Sequence, residues 1–153
     1  MSETDHWLES YGTMQDGLAY PVMHRIGVIA AVFGLIGLLW ALPVPDEFLA
    51  ISPLLNWGTT FLMAAVVYYF VIATSLAIGI LPFALGLTAC ALWLDNSAWS
   101  LELGAGAALL VGIASLFFGR GSGGAALMSD IQLMMIGPVW QLSRLYRRLG
   151  IPY

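Results

Sequence analysis

Residues 26–42 read IGVIAAVFGLIGLLWAL, seventeen positions without a charge. With the flank from Pro21, the run is long enough at 1.5 Å per residue to cross a hydrocarbon core of about 30 Å. Pro21 suits the first turn of such a helix, because a missing N–H there forfeits no intrahelical hydrogen bond. Pro43, Pro45, Asp46 and Glu47 then stop the helix in water. A first transmembrane helix is therefore predicted over 21–42. Working outward, the same reasoning predicts crossings at 57–72, 76–94 and 103–118, bounded by Pro53 and Asn56, by Ala73–Ser75 and by Asp95–Ser97. Pro82 falls inside the third, where neighbouring helices can satisfy the carbonyl it frees.

Composition carries the same message. The chain is 60% hydrophobic and 9% charged, with a mean hydropathy of +0.88, against about 45–50% apolar and about 25% charged in an ordinary soluble domain. A chain of 153 residues has too much surface for its volume to hide that much apolar area from water, whereas lipid removes the need. The expected fold class is an all-α integral membrane protein, one domain over 1–153, with four transmembrane helices and a C-terminal re-entrant or interfacial amphipathic helix over 127–149. Residues 1–20 form a cytoplasmic N-terminal segment. It carries Glu3, Asp5 and Glu9 and no basic residue, the reverse of a signal-peptide start, so no cleavage is expected. Cys90, the only cysteine, is expected to be a buried small hydrophobe.

The net charge of -4 comes from nine acids scattered over ends and turns, and the five basic residues are all arginine. No basic stripe exists for nucleic acid, so that partner is excluded. The arginines set the topology. Arg25 precedes the first crossing, and Arg120, Arg144, Arg147 and Arg148 follow the fourth, while the turns near Asp46 and Asp95 hold only acids. With four crossings both termini share the arginine side, which the positive-inside rule makes cytoplasmic. The expected location is a multi-pass protein of the cytoplasmic (inner) membrane, or of the endoplasmic reticulum membrane in a eukaryote. Alanine- and glycine-rich helices without lysine point to a bacterial source.

Two features lie within this frame. Gly104, Ala108 and Gly112 recur every four residues, a stripe on which another helix backbone can approach closely. Near the C-terminus Gly137-Pro138 is expected to interrupt the helix. Beyond it Leu142, Leu145, Tyr146 and Leu149 share one face, with Arg144, Arg147 and Arg148 turned away, as in a helix lying on an anionic membrane surface. The GRGSGG loop at 119–124 is flexible by composition. It is no phosphate loop, for no strand precedes it and no Lys-Ser/Thr follows.

Polar residues at a membrane edge are costly unless paired and often mark function. Such a cluster is expected from Tyr11, Gln15, Asp16 and His24 at the first crossing with Arg120, Asp130 and Gln132 after the fourth. The Tyr11 to His24 spacing, LLWALPVP at 38–45, the Asn56-Trp57 and Tyr68-Tyr69 pairs, and above all SDIQLMMIGPVWQLSRLYRRLGIPY at 129–153 resemble a family of small multi-pass membrane proteins. Its characterised fungal member is an iron-dependent 2-hydroxy fatty acid dioxygenase, and it has many bacterial members. The likeness covers essentially the whole chain, and the C-terminal block is its most specific part.

The resemblance implies a non-haem iron(II) site of histidines and a carboxylate, with open positions for oxygen and substrate. Only His24 stands at a ligand position of that pattern. Gln15 replaces the first histidine, Gly17 and Tyr20 replace two asparagines, Arg120 replaces a later histidine and Gly123 a glutamate. Arginine repels a cation and offers no lone pair. His6, Asp16 or Asp130 could join His24 only in a rearranged site. Arg120 could pair with Asp130 or with a lipid phosphate. The function expected is a non-catalytic member of that family, without cofactor or metal, that contacts membrane lipids as an accessory or assembly subunit of a larger membrane complex. The alternatives are an active iron-dependent dioxygenase with a rearranged site and a stand-alone lipid-binding protein with Arg120 as headgroup anchor.

Overall fold

The computed structural model describes residues 3–72, 74–120 and 127–150. The described residues form seven helices and no strand: α1 (Glu3–Asp16), α2 (Pro21–Ala41), α3 (Asp46–Ile51), α4 (Trp57–Ile72), α5 (Thr74–Asp95), α6 (Leu101–Arg120) and α7 (Leu127–Leu149). Three of them, α2, α5 and α6, are long and apolar enough to cross a membrane. At 16 residues α4 matches the expected bounds and is equally apolar, but spans only about 24 Å. Charges lie only at the ends of these four helices, as Arg25, Asp95, Glu102 and Arg120. Their outer faces carry bare apolar side chains, with Val71, Leu85 and Leu110 exposed by 83%, 68% and 70%. In water such a surface would aggregate; against lipid tails it costs nothing.

Helix ends follow local chemistry. Pro21 opens α2, and the N–H of Tyr20 just before it donates to Gly119 O at 2.9 Å, tying the start of α2 to the end of α6. Leu42 turns extended ahead of Pro43, and Pro45 begins α3, whose first turn carries Asp46 and Glu47 where the helix dipole favours acids. Asn56 and Thr59 cap α4 reciprocally. Thr59 N–H donates to Asn56 Oδ1 at 3.0 Å, and Asn56 N–H to Thr59 Oγ1 at 2.9 Å.

The tightest packing joins α2 and α6 as an antiparallel pair. A β-carbon on Gly34 would lie 2.5 Å from Leu109 N, one on Gly37 2.6 Å from Ala105 Cβ, one on Gly112 2.5 Å from Ala31 N, and one on Gly119 2.9 Å from His24 Cβ. Ala105, Gly112 and Gly119 are seven residues apart, as are Gly27 and Gly34, the repeat of a left-handed helix pair. The expected four-residue stripe is therefore divided. Gly112 faces Ala31 of α2, Gly104 faces the Leu94 side chain near the α5–α6 turn, and Ala108 is half-buried between these contacts.

Three expectations are corrected. Gly137-Pro138 does not interrupt α7, which runs through both residues. A Gly137 β-carbon would meet Val28 Cγ1 at 2.8 Å and Tyr11 Oη at 3.0 Å, so packing against α1 and α2 holds the backbone helical despite the lost proline N–H. The apolar face of α7 is also not a single surface. Leu142 and Tyr146 press on Gly79 of α5, and Tyr146 Oη donates to Ser75 O at 3.4 Å, whereas Leu145 and Leu149 are exposed. Cys90 is exposed on the outside of α5, because Ala84, Leu87 and Ala91 fill its inward face.

Candidate functional site

α1 brings the first polar groups to one end of the bundle. Leu8, Tyr11 and Gln15 recur at i, i+3 and i+7 and are buried, while Glu9, Ser10, Thr13 and Asp16 face outward. The buried face packs on the first turns of α2 and the second half of α7, in a core of Leu8, Tyr11, Leu76, Ile80, Val139 and Trp140.

Gln15 is the hub. Its Nε2 donates to Tyr11 Oη at 3.2 Å and to His24 Nδ1 at 2.9 Å, and its Oε1 accepts from Arg25 Nε at 3.3 Å. The orientation of the amide is dictated by Arg25, which can only donate, so Oε1 must face it and the NH₂ must face His24. His24 Nδ1 is then the acceptor, and the neutral ring carries its proton on Nε2. Burial pushes the Tyr11 hydroxyl up to about 12, only partly offset by the Gln15 hydrogen bond and the nearby Arg25 charge. Tyr11 is thus a neutral phenol.

Trp140 joins this group from α7. Its ring lies 5.2 Å from that of Tyr11, with the guanidinium carbons of Arg25 and Arg144 at 5.2 and 4.9 Å from its centroid. Each cation–π contact contributes about 0.5–2 kcal/mol. Gly12 lets α1 come close, since a β-carbon there would sit 3.4 Å from Trp140 Nε1.

Of the residues expected at this edge, Tyr11, Gln15 and His24 meet directly. Asp16 is exposed and outside the hydrogen-bonded chain. The side chains of Arg120, Asp130 and Gln132 lie outside the described residues, although Gly119 against His24 brings the end of α6 to the same place. Arg25, Trp140 and Arg144 were not anticipated as partners. The four-residue step from Trp140 to Arg144 was the legible hint, since it stacks them on one helix face.

Beside the polar chain, α1 and α7 enclose a cleft of about 380 Å³. Glu9 and Asp16 stand on the α1 wall, Arg144 and Arg147 on the α7 wall, and Trp140 between them. Among the described residues no ion pair joins the walls. A second cleft, of about 580 Å³, opens at the opposite end near Asn56, Asp95 and Glu102 and has no basic side chain.

An iron(II) centre needs several lone-pair donors turned toward one point. Among the described residues no three His, Cys, Asp or Glu side chains are so grouped. The groups around His24 are an amide already bonded to its Nδ1, a neutral phenol and a guanidinium, which do not fit such a centre. The arrangement fastens α1 to the start of α2 and presents cations at the rim. Comparison with known proteins returns no matching family model, no matching curated protein and no matching solved structure.

Proposed function

We propose that this chain is a four-crossing membrane protein related to the 2-hydroxy fatty acid dioxygenase family that no longer carries out its chemistry, and that it serves as a lipid-contacting accessory or assembly subunit of a larger membrane complex. In this reading α2, α4, α5 and α6 are the crossings and α7 is interfacial. Support for the crossings comes from the two ends of the bundle. Tyr20, His24, Ser75 and Gly119 gather at one end, Trp40, Asn56, Asp95 and Leu101 at the other, as four alternating passes require. The first end holds Arg25, Arg144, Arg147 and Arg148 and the second only acids, which makes the first cytoplasmic, in a bacterial inner membrane.

The observation that carries the loss of catalysis is the Gln15 amide. It stands where the resemblance calls for a histidine ligand, and its bonds go to His24 Nδ1, Tyr11 Oη and Arg25 Nε. Metal analysis of the purified protein tests it. Iron well below one atom per chain, unchanged by His24→Ala, is expected. Stoichiometric iron that His24→Ala abolishes would establish the dioxygenase alternative. Extraction in a mild detergent tests the subunit reading: co-purifying membrane proteins are expected, and a particle containing this chain alone would refute it.

A further inference from the structure

We propose that the cleft between α1 and α7 binds the headgroup of a phosphoethanolamine lipid from the cytoplasmic leaflet. The proposal rests on the membrane placement above and adds a ligand class to it. The two walls carry opposite charge and leave it unpaired across the gap. Arg144 and Arg147 suit a phosphate, which guanidinium groups bind through parallel N–H donors. Arg144 is held at the cleft, its guanidinium carbon over the Trp140 ring at 4.9 Å from the centroid. Trp140 Nε1, beside Gly12 on the same cleft, has no protein acceptor among the described residues and is a further donor.

Glu9 and Asp16, one above the other on the exposed side of α1, select the other end of the ligand. A phosphoglycerol headgroup would bring no cation to them. A choline brings a cation that cannot donate a hydrogen bond to a carboxylate. A primary ammonium meets both needs. The placement also suits a headgroup, since Trp140 lies against the Arg25 guanidinium near the start of α2, and aromatic and basic side chains together anchor proteins at the lipid headgroups.

Native mass spectrometry of the detergent-solubilised chain, titrated separately with dioleoyl phosphatidylethanolamine, phosphatidylcholine and phosphatidylglycerol, tests this. Phosphatidylethanolamine is expected to bind about tenfold more tightly than either of the others, the effect of one or two charge-assisted hydrogen bonds. Arg144→Gln with Arg147→Gln should remove that binding, and Arg144→Lys should restore part of it. Glu9→Gln with Asp16→Asn should retain lipid but reverse the preference toward phosphatidylglycerol, an outcome that misfolding does not produce. Equal binding of the three lipids, or wild-type preference in both double variants, would overturn the proposal. So would tight binding of free phosphoethanolamine without binding of the lipid. Failure of the membrane placement shows separately, as release of the chain from vesicles by alkaline carbonate.

Discussion

The Gln15 Nε2 and His24 Nδ1 atoms lie 2.9 Å apart, and both side chains are buried. Together with the Arg25 Nε to Gln15 Oε1 hydrogen bond at 3.3 Å, this contact ties α1, a helix outside the apolar bundle, to the start of α2. Replacing Gln15 by methionine keeps the volume but strands Tyr11 Oη, His24 Nδ1 and Arg25 Nε together. A loss of about 2–6 kcal/mol is expected, since the two fully buried groups, Tyr11 Oη and His24 Nδ1, each cost about 1–3 kcal/mol when left unpaired. The melting temperature in detergent measures it, and no change would show the chain to be ornamental. In ¹⁵N spectra of labelled histidine the Nδ1 of His24 should show the shift of an unprotonated ring nitrogen.

The α2–α6 seam gives a sharper contrast. Gly34→Ala places its methyl 2.5 Å from Leu109 N and 2.7 Å from Ala105 O, backbone atoms that can move only if the helices part. A loss of about 3 kcal/mol or more is expected, beyond the usual 1–3 kcal/mol of overpacking. Gly86→Ala and Gly106→Ala have open space around the new methyl and should be neutral or gain up to about 1 kcal/mol from helix propensity. Parallel melts of the three variants decide whether the seam is as close as described.

Tyr11 adds a pH dependence. Its hydroxyl rises from the ordinary 10.0 to about 12 on burial, so the folded chain keeps a proton that the unfolded chain gives up first. The neutral phenol's contribution is complete below pH 10 and is lost as the pH climbs through about 12. A shift of that size corresponds to about 2–3 kcal/mol. Comparing denaturation of wild type with that of Tyr11→Phe between those limits isolates the effect. The variant should lose less stability over the same range.

Topology is open to direct labelling. In a Cys90→Ala background, Ser10→Cys on the exposed side of α1 and Ala98→Cys at the α5–α6 turn mark opposite ends of the bundle. An impermeant maleimide added to intact spheroplasts is expected to modify only the second, and to reach the first after permeabilisation. Labelling of both before permeabilisation, or of the first alone, would contradict the proposed orientation.

The membrane class and the long helices were legible because hydropathy is a local sum. The bounds 57–72 recur unchanged in α4, and the other three apolar helices begin or end within two residues of those expected. The small-residue contact was legible in kind but not in register. Small residues, glycine or alanine, stand every four positions in 104–112 and every seven in 105–119, and which set is used depends on the partner's backbone. The small helix α3 and the helical form of 3–16 went unseen, since neither contains an apolar run long enough to cross a membrane.

What residue order determined by itself was therefore each segment's solvent, because the transfer of a side chain between water and lipid depends on that side chain and its near neighbours. The tertiary structure alone decided which polar groups share a site. Gln15, Arg25, Trp140 and Arg144 are drawn from three separate helices, and they meet because Gly12, Gly119 and Gly137 let the backbones of α1, α6 and α7 close around the start of α2. Hydrogen bonds and cation–π contacts act over a few ångströms in space, a distance that separation along the chain does not encode.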